Sequence, residues 1–138
     1  MKARHPLHPA IVHFPIACWS LAVAGDIASY GFGQATSSWS AGLLAIGCAL
    51  ALLAAAAGLA ELRRVPEGPA LHDTWMHTGL MLAAFAFFAA RLLLRLAQLQ
   101  PLPPNGESLL IDLCGFSLLT VGGWMGGRLV YGHGIGRA

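Results

Sequence analysis

Charge is what this chain has least of. Only 10% of its 138 residues are Asp, Glu, Lys or Arg, against about a quarter in an ordinary soluble domain. Hydrophobic residues make up 57%, so water is not the main solvent of the folded chain. A net charge of +2 from so few ionic residues carries no nucleic-acid signature. The three cysteines, Cys18, Cys48 and Cys114, include no C-x-x-C pair. That excludes a zinc finger and a c-type haem attachment and leaves them as small apolar packing residues. No nucleophile–base pair, phosphate loop or H-E-x-x-H motif is present, which argues against a hydrolase.

What the chain does have is four long apolar runs, at about 9–31, 40–60, 73–98 and 109–131. A helix needs about 20 residues to cross a hydrocarbon core, and none of the runs alternates like a strand. The expectation is one all-α domain, a transmembrane four-helix bundle with almost nothing left for a soluble part. Met1-Lys2-Ala3-Arg4 could open a signal peptide. Two histidines and two prolines make a poor apolar core for one, so the first run is read as a retained span. Pro15 removes its own N–H and strands the carbonyl of Ile11, which predicts a kink or wide turn beside His13. Gln34 to Ser38 reads as a polar turn, 65–69 as a loop, and 98–108 as a second loop on the far side. The third and fourth helices are expected to begin near His72 and Leu109.

Four spans alternate in direction. The start of the first, the end of the second, the start of the third and the end of the fourth therefore share one face. That face collects all six histidines, His5, His8, His13, His72, His77 and His133, together with Glu61. Four hydrophobic spans do not require this. Lys2, Arg4, Arg63, Arg64, Arg128 and Arg137 lie at the same face, and only Arg91 and Arg95 at the other. The positive-inside rule then puts both termini and the histidines on the cytoplasmic side of the membrane. Asp26, Arg91, Arg95 and Asp112 fall at similar depth at the far end and are expected to form a structural ion-pair group.

Neutral imidazole is the commonest protein ligand for metals and haem. His8 and His13 are five apart, as are His72 and His77. On a regular helix that means about 140° of rotation and about 7.5 Å of rise, so neither pair chelates one metal. Single histidines from different helices can meet. His13 and His77 are the leading axial pair for haem b, with His8, His72 and His133 as alternates. Arg63, Arg64 and Arg128 stand where propionates would emerge. If a compact zinc, iron or manganese ion is bound instead, His8, His13, His77, His133 and Glu61 are the donors. His5 reads as a headgroup residue, and Trp75 and Trp124 as interfacial belt or packing residues. Gly122-Gly123-Trp124-Met125-Gly126-Gly127 holds two overlapping G-x-x-x-G pairs, a surface for close helix approach, within the bundle or in a homodimer.

Two stretches resemble a known family. His8-Pro9-Ala10-Ile11-Val12-His13-Phe14-Pro15-Ile16-Ala17 resembles the opening of the bacterial membrane family catalogued as domain of unknown function 2231. Gly122 through Gly134 resembles its closing stretch. The resemblance implies four helices and a histidine site that includes His8, His13 and His133, with His77 or His72 on the third helix. It implies no particular reaction. By fold-level analogy with four-helix di-haem cytochromes, the expected function is electron transfer, with a quinone or a redox partner subunit exchanging electrons. The alternatives are a membrane metal-ion site and a cofactor-free accessory subunit of a membrane complex.

Overall fold

The computed structural model describes residues 7–96 and 104–136. Five helices account for nearly all of them: α1 (Leu7–Ile11), α2 (His13–Phe32), α3 (Gln34–Leu62), α4 (Pro69–Leu96) and α5 (Gly106–Tyr131). The helices are long and apolar enough to supply four membrane crossings, with α1 and α2 sharing the first. Large apolar side chains such as Leu21, Ile27, Leu53, Leu93 and Val121 point outward, where lipid rather than water solvates them. The all-α four-helix bundle expected from the four apolar runs is the observed architecture.

The break between α1 and α2 falls at Val12, where Pro15 places it. Pro15 cannot donate to the Ile11 carbonyl, so one rung of the ladder is missing. The backbone nevertheless stays helical at Val12 (φ −60°, ψ −24°). Val12 N–H bonds the His8 carbonyl at 3.1 Å and Ile16 N–H bonds the Val12 carbonyl at 3.3 Å. The helical path continues through Val12 despite the missing rung.

Three helix boundaries differ from expectation, each for a local reason. Gln34 to Ser38 is not a turn but the first turns of α3. Gly33 reverses the chain by itself at φ 80°, ψ −162°, a region open essentially to glycine alone. Helix α5 starts at Gly106, ahead of Leu109, because Asn105 caps it. Asn105 Oδ1 accepts from Ser108 N–H at 2.8 Å, and Ser108 Oγ accepts from Asn105 N–H at 2.9 Å, a reciprocal capping box. The loop before α4 spans 63–68, and Pro69 takes the first helical position, where its missing N–H costs nothing.

The helices pack as two antiparallel hairpins, α1/α2 with α3 and α4 with α5. The two hairpins are copies of one plan. One shift along the sequence carries His8 onto His77, Trp19 onto Phe88 and Asp26 onto Arg95. A shift one residue shorter carries Gly47 onto Gly115, Ala54 onto Gly122 and Gly58 onto Gly126. In space each of the first three residues meets its own counterpart. The His8 and His77 rings lie 6.3 Å apart, Trp19 stacks on Phe88 at 4.6 Å, and Asp26 pairs with Arg95. Contact between equivalent residues is the mark of a local two-fold axis, here running along the bundle, as in parallel membrane repeats.

The middle layer shows how the copies close. A Cβ on Gly47 would lie 2.7 Å from Trp19 Cδ1, and one on Gly115 would lie 3.2 Å from Phe88 Cζ. Each glycine admits the large ring of its own hairpin and lets the backbones approach. Leu44, Cys48, Ala84 and Leu119 fill the space around the stacked rings.

Candidate functional site

At one end of the axis, four ionic residues are buried and mutually paired. Arg91 reaches Asp26 through Nη2 (3.1 Å) and Asp112 through Nε (3.2 Å). Arg95 Nη2 donates to Asp26 Oδ2 at 2.6 Å and Nη1 donates to the Ser37 carbonyl at 3.1 Å. All four side chains are 4% exposed or less, and two arginines balance two aspartates. Ser40 Oγ donates to the Ala22 carbonyl nearby at 2.9 Å. This is the ion-pair group expected from matching depth alone. Its donors and acceptors are spent on one another, apart from Arg95 Nε, which has no partner among the described residues.

The opposite end is built differently. His8 Nδ1 donates to the Ala54 carbonyl at 2.8 Å, and His77 Nδ1 donates to the Gly122 carbonyl at 2.8 Å. A carbonyl can only accept, so each Nδ1 carries a proton, and in the neutral tautomer that this selects the lone pair is on Nε2. Neither Nε2 has a protein partner among the described residues.

Glycine makes these anchors accessible. Ala54 and Gly122 lie inside helices, where the side chain one turn on normally shields a carbonyl. Here that next-turn residue is Gly58 in one hairpin and Gly126 in the other. A Cβ on Gly58 would lie 3.0 Å from His8 Nδ1, and one on Gly126 would lie 3.0 Å from His77 Cε1. The G-x-x-x-G pair Gly122/Gly126 therefore serves His77 as well as helix packing. The overlapping pair Gly123/Gly127 faces open space.

The other histidines are not brought to this pair. His13, expected to lead, is exposed on the outer side of α2. His8 takes the inward place opposite His77, since residues five apart point in different directions. His72 is exposed on α4, and Arg63 and Arg64 are exposed at the end of α3. His5 lies outside the described residues. Glu61 acts as a cap, its Oε1 accepting from Leu7 N–H (2.8 Å) and His8 N–H (3.2 Å). A carboxylate at the positive end of a short helix is well placed, and this one fixes the backbone of His8.

His133 follows α5 in a tail that folds over this end. Its Nε2 contacts Asp73 Oδ2 at 2.8 Å, and Arg128 Nε contacts the same oxygen at 3.0 Å. Gly134 and Gly136 take positive φ, and a Cβ on Gly136 would touch Pro9. Asp73, near the start of α4, ties the closing stretch down beside His8. Among the described residues no group of three His, Cys, Asp or Glu converges as a metal-ion site.

Matching depth pairs His13 with His77 in the sequence; the structure sets His8, there an alternate, against His77. The repeat carries part of that signal. Aligning the glycine pair Gly47/Gly58 with Gly115/Gly126 brings His8 to within one residue of His77 and leaves His13 four residues away.

No curated protein and no solved structure matches the chain. A family comparison matches residues 4–138 to the predicted membrane protein family DUF2231. With nearly the whole chain matched, four membrane-crossing helices in place and both end motifs built into one histidine-bearing end, the protein is a multi-pass membrane protein of the DUF2231 family.

Proposed function

We propose that the protein is an integral membrane haem b-binding, electron-transfer protein with His8 and His77 as its axial ligands. The observation that carries this reading is the matched pair of imidazoles, one from each hairpin. Both are fixed at Nδ1 and bare at Nε2, with ring centroids 6.3 Å apart. Two imidazoles on opposite sides of one metal, each at about 2.0 Å from it, have centroids separated by roughly 6 Å. A second-shell carbonyl on the other ring nitrogen is the usual companion of a metal-ligating histidine.

The donor set discriminates between cofactors. Zinc, iron or manganese held as a bare ion needs three or four protein donors, and such a group does not assemble among the described residues. Haem brings four equatorial nitrogens of its own and asks the protein for two axial ones. Bound haem would supply the one-electron chemistry. The chain's own residues fix the ring tautomers, set the depth of the site and shield it with the 132–136 tail. Arg128, half exposed beside Asp73, and the exposed Arg63 and Arg64 are the cations available to propionates.

The charges support a cytoplasmic location for this end in a bacterial inner membrane. Arg91 and Arg95 are neutralised within their buried group. Among the described residues the remaining arginines, Arg63, Arg64 and Arg128, lie at the histidine end. A quinone or a redox partner subunit would exchange electrons there. The test is an absorption spectrum of protein purified in mild detergent, oxidised and then reduced with dithionite. A Soret band and a sharp reduced α-band, lost in His8→Ala and His77→Ala but kept in His13→Ala, is the expected result. Full haem occupancy in the first two variants would overturn the ligand assignment.

A further inference from the structure

The two histidine rings are inclined at 82° to each other. The anchors that hold them there lie on different hairpins, the Ala54 carbonyl on α3 and the Gly122 carbonyl on α5. Neither ring can turn about its own axis without breaking its bond, and both rings press against the backbone at a glycine. The inclination is thus set by the two helix backbones.

We infer that Gly58 and Gly126 are the orientation-determining residues of the site, and that they hold its two axial imidazole planes nearly perpendicular. The inference rests on the haem reading above. Its physical consequence is electronic. Each axial imidazole donates π density into the iron d orbital perpendicular to its own plane. Parallel planes act on the same orbital and split the d pair strongly. Perpendicular planes act on one orbital each and leave the pair nearly degenerate. Ligand orientation is one of the means by which a protein tunes a haem it does not otherwise alter.

Electron paramagnetic resonance of the ferric, haem-loaded protein in detergent reads this directly. The expected wild-type spectrum is low-spin with a single dominant feature at very large g, the signature of a nearly degenerate d pair. A Cβ at Gly58 or Gly126 would lie 3.0 Å from its ring, which must give by a few tenths of an ångström and tilt against its carbonyl anchor. Gly58→Ala and Gly126→Ala are therefore expected to convert the signal to three resolved rhombic features, or to high spin if one ligand is lost. Gly123→Ala and Gly127→Ala, which face open space, should leave the spectrum unchanged. A rhombic wild-type spectrum at full haem content would overturn the perpendicular geometry and leave the haem reading standing. A large-g signal that persists unchanged in both Gly58→Ala and Gly126→Ala would overturn the role of the glycines. Wild-type protein that binds no haem would overturn the reading beneath and this inference with it.

Discussion

The two ends of this bundle hold the same kind of resource and spend it differently. Each has polar side chains drawn in at the two-fold axis, fully buried at the ionic end and part-buried at the histidine end, and unpaired groups there are expensive. At the Asp26/Arg95 end the side chains satisfy one another, and the backbone at Ser37 helps. At the His8/His77 end each side chain satisfies one nitrogen on the backbone and keeps the other bare. The difference separates structure from chemistry. A polar group in a membrane whose capacity is used up within the protein holds the fold together. On the proposed reading, the part-buried imidazoles, fixed at one nitrogen and open at the other, would take a ligand.

The largest effect should come from breaking the closed end. Asp26→Ala removes the carboxylate shared by Arg91 and Arg95 and leaves buried guanidinium charge uncompensated, at a cost of about 3–5 kcal/mol. A sharp loss of thermal stability in detergent is expected, whereas unchanged stability would mean that the quartet is not a structural element. Reversing the charges together, as in Asp26→Arg with Arg95→Asp, should recover part of the loss and would show that the pair marks which hairpin faces which.

The next effect belongs to the open end and should have the opposite character. His8→Ala and His77→Ala are expected to lower haem retention by more than tenfold while the unfolding midpoint of the haem-free protein barely moves. His72→Ala should change neither. A stability loss in His8→Ala as large as that in Asp26→Ala would erase the distinction between the ends.

Two smaller effects sharpen the picture. Gly47→Ala drives a methyl against Trp19 and should destabilise by about 1–3 kcal/mol, the usual cost of overpacking, without touching the histidine end. Glu61→Gln keeps an acceptor for Leu7 and His8 but removes its charge, and should cost about 1 kcal/mol or less. The expected readout is a modest rise in the haem dissociation constant and no change in spectrum.

Much of this was legible in the sequence because depth in a membrane follows from counting. Run length placed the four helices, and helix direction gathered the histidines at one end and Asp26, Arg91, Arg95 and Asp112 at the other. What counting does not give is rotation about each helix. His13 and His77 match in depth, but five residues of helix turn His13 outward where His8 faces in. Glu61 and Asp73 were visible as anions near helix termini, yet their partners Leu7, His8, Arg128 and His133 lie far away in sequence. Helix α3 began early because one residue, Gly33, completes a reversal that a polar stretch suggested would take five.

The duplicated plan also has a consequence for how the molecule is made. His8 and its Ala54 anchor belong to the first hairpin, His77 and its Gly122 anchor to the second. The first hairpin is synthesised and can enter the bilayer before the second exists. It carries only half of every layer on the axis: one imidazole, one aromatic ring and Asp26 without its arginines. The site is therefore absent from every nascent chain and comes into being only when the two halves dock. Any ligand that needs both imidazoles binds the finished molecule alone and stabilises it by mass action, which makes its capture a checkpoint on membrane assembly.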